Sequence, residues 1–141
     1  MDAEYRIFLT DTPDDAAHTI VGLGIRSYNE KMAGTNGYQR LCAFVHAPDG
    51  TVVGGLIGAT YWNWFYIDLL WLPDQLRGRG YGHRLMTLAE EKARERGAKN
   101  AYLDTFSFQA PDFYKRQGYE VFGELPDFPH GHQRFFFRKQ L

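Results

Sequence analysis

Apolar and polar positions along the chain alternate or recur in runs that predict its elements. Tyr5–Leu9 reads as a first strand. Pro13 suits a helix start, with Asp14 and Asp15 in the first turn, where the helix dipole favours acids. Ile20, Leu23, Gly24 and Ser27 supply the inner stripe of that helix, and Gly34, Asn36 and Gly37 mark the loop after it. Leu41–Ala47 and Thr51–Tyr61 are strand-like and flank Pro48-Asp49-Gly50, whose residue types favour a tight turn, so the pair reads as a hairpin. Trp62-Asn63 turns the chain again into Phe65–Leu72. Connections this short join antiparallel strands.

The strongest helical period lies in Arg79–Arg96. Gly82, Leu85, Met86, Ala89 and Ala93 fall on one face, Glu90 and Arg94 are expected to pair on the outside, and Gly97 is the expected stop. Ala101–Thr105 reads as a short strand and Pro111–Gln117 as a short helix ended by Gly118. Tyr119–Glu124 and Gln133–Lys139 read as closing strands, joined by a loop containing Pro126, Pro129 and Gly131. The order β-α-β-β-β-α-β-α-β-β is mixed α/β: an antiparallel first half followed by one β-α-β unit.

Composition narrows the classes. The 141 residues suit one domain spanning 1–141, and 44% hydrophobic with 23% charged residues argues against a disordered chain. A net charge of −1 leaves no global basic footprint, so no nucleic-acid partner is expected. No apolar run is long enough to span a membrane, and MDAEYRIFL lacks the pattern of a signal peptide. A single cysteine, Cys42, cannot form an intrachain disulfide, which fits a reducing, cytoplasmic compartment.

The informative segment runs from Leu72 to His83, between a strand and the best helix. Gly78, Gly80 and Gly82 let backbone amides approach a ligand, and free N–H groups at a helix start attract anions. Arg77, Arg79 and Arg84 add positive charge suited to phosphate. Together they read as a pyrophosphate cradle. A Walker loop is excluded, since no Gly-Lys-Ser/Thr follows. Asp104 lies at a suitable distance to hold a ribose, as a dinucleotide fingerprint would require. However, the third glycine falls one residue early, with His83 in its place.

Arg77-Gly78-Arg79-Gly80-Tyr81-Gly82 resembles the acyl-CoA signature of the GNAT acetyltransferase superfamily, Arg/Gln-x-x-Gly-x-Gly/Ala. Ala110, Phe113, Tyr114 and Gly118-Tyr119 resemble a second motif of that family, in the right order, and the element order also agrees. There are two departures. The link from Pro73 to Arg77 is one residue longer than the family's shortest form, and Ser107 stands where many members carry Asn.

The resemblance implies a GNAT-like, mostly antiparallel central sheet with flanking helices. It also implies acetyl transfer from acetyl-CoA, as co-substrate, to a primary amine of a small molecule. The amides of Arg77–Gly82, with His83 beside them, would hold the pyrophosphate, and Ser107 would contact the cofactor. The pantetheine arm would pair with the strand edge at Leu70 and Leu72, where an N–H near Leu70 would stabilise the oxyanion. Tyr114 is the implied general acid for the departing thiolate. Asp68, a lone carboxylate in Tyr66-Ile67-Asp68-Leu69-Leu70-Trp71, is the candidate base; a free amine has a pKa of about 10.4 and must lose a proton. Asp104 is expected to position something locally. The acceptor would enter past Tyr28, Asn29, Glu30 and Asn36 and past Asp127, Phe128, His130 and His132.

No metal is expected: His130-Gly131-His132 has no third ligand nearby in sequence. The run Tyr61–Tyr66 and Phe135–Phe137 suit hairpin packing or a subunit interface, which makes a homodimer an expectation. The alternatives in function are a non-catalytic acyl-CoA sensor or accessory subunit, and a protein or peptide N-acetyltransferase.

Overall fold

The computed structural model describes residues 4–141. These divide by internal contact after Asn36, into residues 4–36 and Gly37–Leu141. The first unit holds helix α1, Asp15–Ala33. Asp14 caps it, its Oδ1 accepting the Ala17 N–H at 2.7 Å, and Gly34 ends it with an N–H donated to the Glu30 carbonyl at 2.9 Å. The acid-rich start is therefore a cap as well as a favourable dipole contact. Tyr5–Leu9 is not a strand: residues 4–10 join no ladder. Alternation makes a segment able to pair, but a strand exists only where a neighbour supplies the hydrogen bonds.

The second unit is a six-stranded sheet, β1 (Gln39–His46), β2 (Val52–Tyr61), β3 (Trp64–Trp71), β4 (Asn100–Phe106), β5 (Glu120–Pro126) and β6 (Gln133–Gln140), in spatial order β1-β2-β3-β4-β6-β5. Only β3 and β4 run parallel, joined through helix α2 (Tyr81–Glu95); a short helix α3 (Pro111–Arg116) follows β4. The mixed, mostly antiparallel sheet matches the expected fold class. The turn before β2 is built by Asp49, whose Oδ1 accepts the Thr51 N–H at 2.9 Å. Trp62 and Asn63 both take positive φ, 42° and 66°. That conformation matches the strand twist of a two-residue hairpin but costs a tryptophan about 1 kcal/mol or more.

The apolar stripe of α2 is buried as its period required: Leu85, Met86, Ala89 and Ala93 pack on Leu56, Phe65, Ile67, Leu103 and Phe137 of the sheet. Full burial of one such large side chain contributes about 1.5–3 kcal/mol. One expectation for α2 fails. Glu90 does not pair outward with Arg94; it is 5% exposed, accepts the Tyr119 hydroxyl at 2.7 Å and Lys139 Nζ at 2.8 Å. Position 90 lies four residues after Met86, on the buried stripe, so geometry rather than polarity decides its side. The aromatic runs are divided by strand alternation: Phe65 and Phe137 are core, while Tyr66 stacks on Tyr102 at 4.8 Å on the other face.

Candidate functional site

The site begins where the sheet comes apart. β3 and β4 are paired only from Trp64↔Asn100 to Ile67↔Leu103. Beyond that point β3 stays with β2, Leu69 to Trp71 facing Ile57 to Gly55, while β4 stays with β6, Asp104 to Phe106 facing Phe136 to Arg134. The register explains the divergence. Ile57 faces Leu69 and Gly58 faces Ile67, so Asp68 is an extra residue in β3, a bulge. A bulge bends its strand and re-aims the groups that follow. The resulting cleft measures about 890 Å³ and is lined by Asp68–Leu72, the turn before α2, the end of β4 and helix α3.

The turn supplies one wall. Asp74–Leu76, the longer link noted in the sequence, forms a 3-10 turn. Arg77 spends its backbone N–H on the Asp74 carbonyl at 3.1 Å, and its Nε donates to the Leu72 carbonyl at 2.9 Å. Gly78 and Gly80 have φ of 69° and 85°, the left-handed region that disfavours side chains, and a Cβ at either would meet nothing within 4 Å. No side chain caps α2, and its first bond runs from the Arg84 N–H to the Gly80 carbonyl. The amides of Tyr81, Gly82 and His83 precede that bond, so open space beside Gly78 and Gly80 meets uncapped N–H groups at the positive end of a helix. These residues fit a pyrophosphate. Gly82 serves packing: a Cβ there would come within 3.1 Å of the Phe113 ring of α3. His83 Nδ1 and Gln117 Oε1 are 2.7 Å apart, a second link, from the start of α2 to the end of α3.

Helix α3 supplies Tyr114, 8% exposed and packed against Phe113, Tyr119 and Phe137. It lines the cleft, and among the described residues its hydroxyl has no hydrogen-bond partner. Burial, and secondarily the charge of Asp104, pushes its pKa up to about 12. Burial and the bond to Glu90 likewise raise Tyr119.

Two carboxylates line the cleft at the point of divergence. Asp68 and Asp104 are the residues next after the last pair, Ile67↔Leu103. Asp68 is exposed and receives only a long contact from the Tyr66 hydroxyl, 3.4 Å. Asp104 is held: Arg134 donates to its Oδ1 from Nε at 2.9 Å and from Nη2 at 2.6 Å. The guanidinium in turn lies 5.2–5.6 Å from the ring centroids of Phe128, Phe136 and Phe106.

The structure thus gathers Asp68, Leu70, Leu72, Arg77, Gly78, Gly80, Gly82, His83 and Tyr114 around one opening. Arg79 and Tyr81 do not line it; the Arg79 guanidinium lies over the Tyr81 ring at 5.7 Å. Ser107, expected to contact the cofactor, lies outside this lining. It accepts the Gln133 N–H at its hydroxyl (3.0 Å) and donates its own N–H to the Gln133 carbonyl (2.8 Å). It therefore pins β4 to β6 and is not part of the cleft lining. Asp127 is turned inward on its own loop, accepting from Gly131 N–H at 3.1 Å and lying 2.8 Å from His130 Nδ1. His132 packs on Phe108 at 5.0 Å. Among the described residues no three His, Cys, Asp or Glu side chains gather as a metal site, and no helix is long and apolar enough to cross a membrane.

The sequence reading missed Trp71, Phe108, Gln109, Phe113, Arg116 and Gln117 as lining residues, and Arg134 altogether. The first group sits beside the two motifs, a signal that was available. Arg134 carries no signal, because its partner is thirty residues away across a strand pair.

The Acetyltransferase (GNAT) family model matches residues 4–119. The chain is 42% identical over 93 residues to blasticidin-S acetyltransferase of Streptomyces morookaense, covering 65% of this chain and 68% of that protein. A crystal structure of an acetyltransferase from Bacillus cereus superposes with a TM-score of 0.87 at 31% identity, covering 95% and 98% of the two chains. An aminoglycoside 6'-N-acetyltransferase complexed with coenzyme A shares the fold at TM-score 0.63 and 17% identity, over 81% and 77%. With the family match spanning most of its length and the glycine turn in its expected place, this chain belongs to the GNAT acetyltransferase family.

Proposed function

We propose that the protein transfers an acetyl group from acetyl-CoA to a primary amine of a small molecule, by direct attack in a ternary complex. The observation that carries this reading is one cleft with two poles. Arg77, His83 and Arg116 join the uncapped α2 amides at one part of its lining, and Asp68 and Asp104 stand at another. Phosphates suit the first and an alkylammonium the second. The relative that acts on blasticidin S supports a small-molecule acceptor.

Acetyl-CoA supplies the acetyl thioester. Gly78, Gly80 and the amides of Tyr81–His83 hold its pyrophosphate. The free edge of β3 beyond Ile67 offers ladder groups to the pantetheine arm, and the Leu70 N–H donates to the carbonyl oxygen as negative charge develops there. Asp68 takes the proton of the attacking amine, directly or through water. A nitrogen–carbon bond forms, the carbon–sulfur bond breaks, and Tyr114 donates a hydrogen bond to the departing sulfur.

Magnitudes set the weight of that last contact. A phenol with a pKa of about 12 is a far weaker acid than a thiol at about 8.5. Full transfer of the Tyr114 proton is therefore uphill, and water supplies the final proton. The Tyr114→Phe variant should lose about tenfold in kcat, less than the loss of an obligatory acid would cause. Thiol release from acetyl-CoA against a panel of amines tests the whole reading. Acceptor-dependent release in the wild type supports it. Acetyl-CoA binding by calorimetry without any acceptor-dependent release refutes it in favour of an acyl-CoA sensor.

A further inference from the structure

We propose that Arg134 sets the charge that the acceptor must carry, by neutralising Asp104 at the edge of the cleft. The inference rests on the N-acetyltransferase reading and deepens it. Asp68 and Asp104 follow the last β3–β4 pair and both line the cleft. With neither balanced, this part of the lining would present two negative charges. Arg134 removes one. Its Nε and Nη2 both bond Asp104 Oδ1, and its side chain is 30% exposed, held by the Phe106, Phe128 and Phe136 rings. A guanidinium confined on its aromatic faces and its donor edge cannot swing away as a surface arginine does.

Asp104 remains within electrostatic reach of the chemistry. Its charge contributes to the raised pKa of Tyr114 and of Tyr66, whose hydroxyl points to Asp68. Oδ2 of Asp104 has no bond among the described residues. The acceptor end therefore presents one unbalanced carboxylate, Asp68, and one balanced carboxylate with a free oxygen. That arrangement selects an acceptor whose reacting amine is its only positive charge. Arg134 does not line the cleft, so it acts through Asp104 as a specificity-determining residue and touches no reacting atom.

The test compares hexylamine with 1,6-diaminohexane as acceptors, by thiol release from acetyl-CoA, in wild type and in three variants. Arg134→Met uncovers Asp104 and should shift the ratio of kcat/KM values toward the diamine by about tenfold, an effect that shrinks in high salt. Arg134→Lys keeps the charge and should keep most of the wild-type ratio. The Asp104→Asn, Arg134→Met double variant removes both charges and should return the ratio to within about threefold of wild type, which separates charge from any general loosening of the fold. An unmoved ratio in Arg134→Met, or a shifted ratio that persists in the double variant, overturns the inference while leaving the acetyltransferase reading intact. Acetyl-CoA binding with no turnover of either amine, or of any amine in the wider panel, brings down that reading and the inference with it. Turnover of other amines but neither of these two overturns the inference alone.

Discussion

Strand β6 carries ion pairs on both of its faces, and those of Lys139 and Arg134 differ in what surrounds them. Lys139 reaches the core side, where Nζ lies 2.8 Å from Glu90 Oε1 and donates to the Gln117 carbonyl at 2.8 Å. Glu90 and Lys139 side chains are 7% and 21% exposed, and the second Glu90 oxygen takes the Tyr119 hydroxyl. Every group in that cluster is matched, and it ties α2, the end of α3 and β6 together. Arg134 reaches the other side, where Asp104 gives it one oxygen and borders the cleft with the rest. The comparison teaches how to tell a pair that closes a fold from one that shapes a site. The first has both of its charged groups bonded within the fold, and the second leaves one carboxylate oxygen unbonded on a residue that lines a cavity.

The largest effect should come from breaking the first pair. Lys139→Met strands the buried Glu90 carboxylate and should cost about 3–5 kcal/mol in urea denaturation. Adding Glu90→Gln to it should recover much of that loss, since the uncompensated charge is then gone. Arg134→Met should cost less, about 1–2 kcal/mol, because the Asp104 carboxylate it uncovers borders a wet cleft. If the two single variants cost the same, the distinction between the pairs collapses.

Acetyl-CoA affinity sharpens the contrast, because neither ion pair lies in the turn before α2. Gly80→Val places a side chain at a φ of 85° and into the open space beside the uncapped helix start. It should weaken acetyl-CoA binding about tenfold by calorimetry and cost about 1–2 kcal/mol in stability. Arg134→Met should leave acetyl-CoA affinity within about twofold of wild type.

The smallest effect concerns alkaline pH. Tyr114 is raised to about 12 by burial, so the fold favours its protonated form. That contribution is complete below the ordinary tyrosine value of about 10 and is lost as pH rises toward about 12. Tyr114→Phe should therefore flatten the fall of the denaturation midpoint above pH 10. For the same reason, no alkaline limb of the rate below pH 10 should disappear in that variant. A limb near pH 8 that vanishes with Tyr114→Phe would restore full proton transfer to its role.

Some parts of the molecule were legible because they are written in contiguous residues. The period of Leu85, Met86, Ala89 and Ala93 placed α2 on the sheet. Pro48-Asp49-Gly50 and Trp62-Asn63 set the hairpins, and Gly78 and Gly80 set the turn that leads into α2. In each case the physics is local: one turn's φ, one helix's period, one row of adjacent amides. Tyr114 followed from its motif, and the fold buries it in the lining of the cleft.

Other parts required the fold. Tyr5–Leu9 alternates like a strand yet joins no ladder. Glu90 is acidic yet buried, and only the meeting of α2 with Tyr119 and Lys139 makes that tolerable. Ser107 sits one residue past β4, and its hydroxyl is claimed by Gln133 across the strand pair. The bulge at Asp68, the parting of β3 from β4 and the capture of Asp104 by Arg134 all depend on register between segments far apart in the chain. The sequence by itself determined helix α2, the hairpin turns and the glycine turn before α2, because each is decided within a few neighbouring residues. Which carboxylate stays unbalanced in the cleft was decided only by tertiary structure, because charge compensation depends on distance in space, and the chain does not carry that distance in its order.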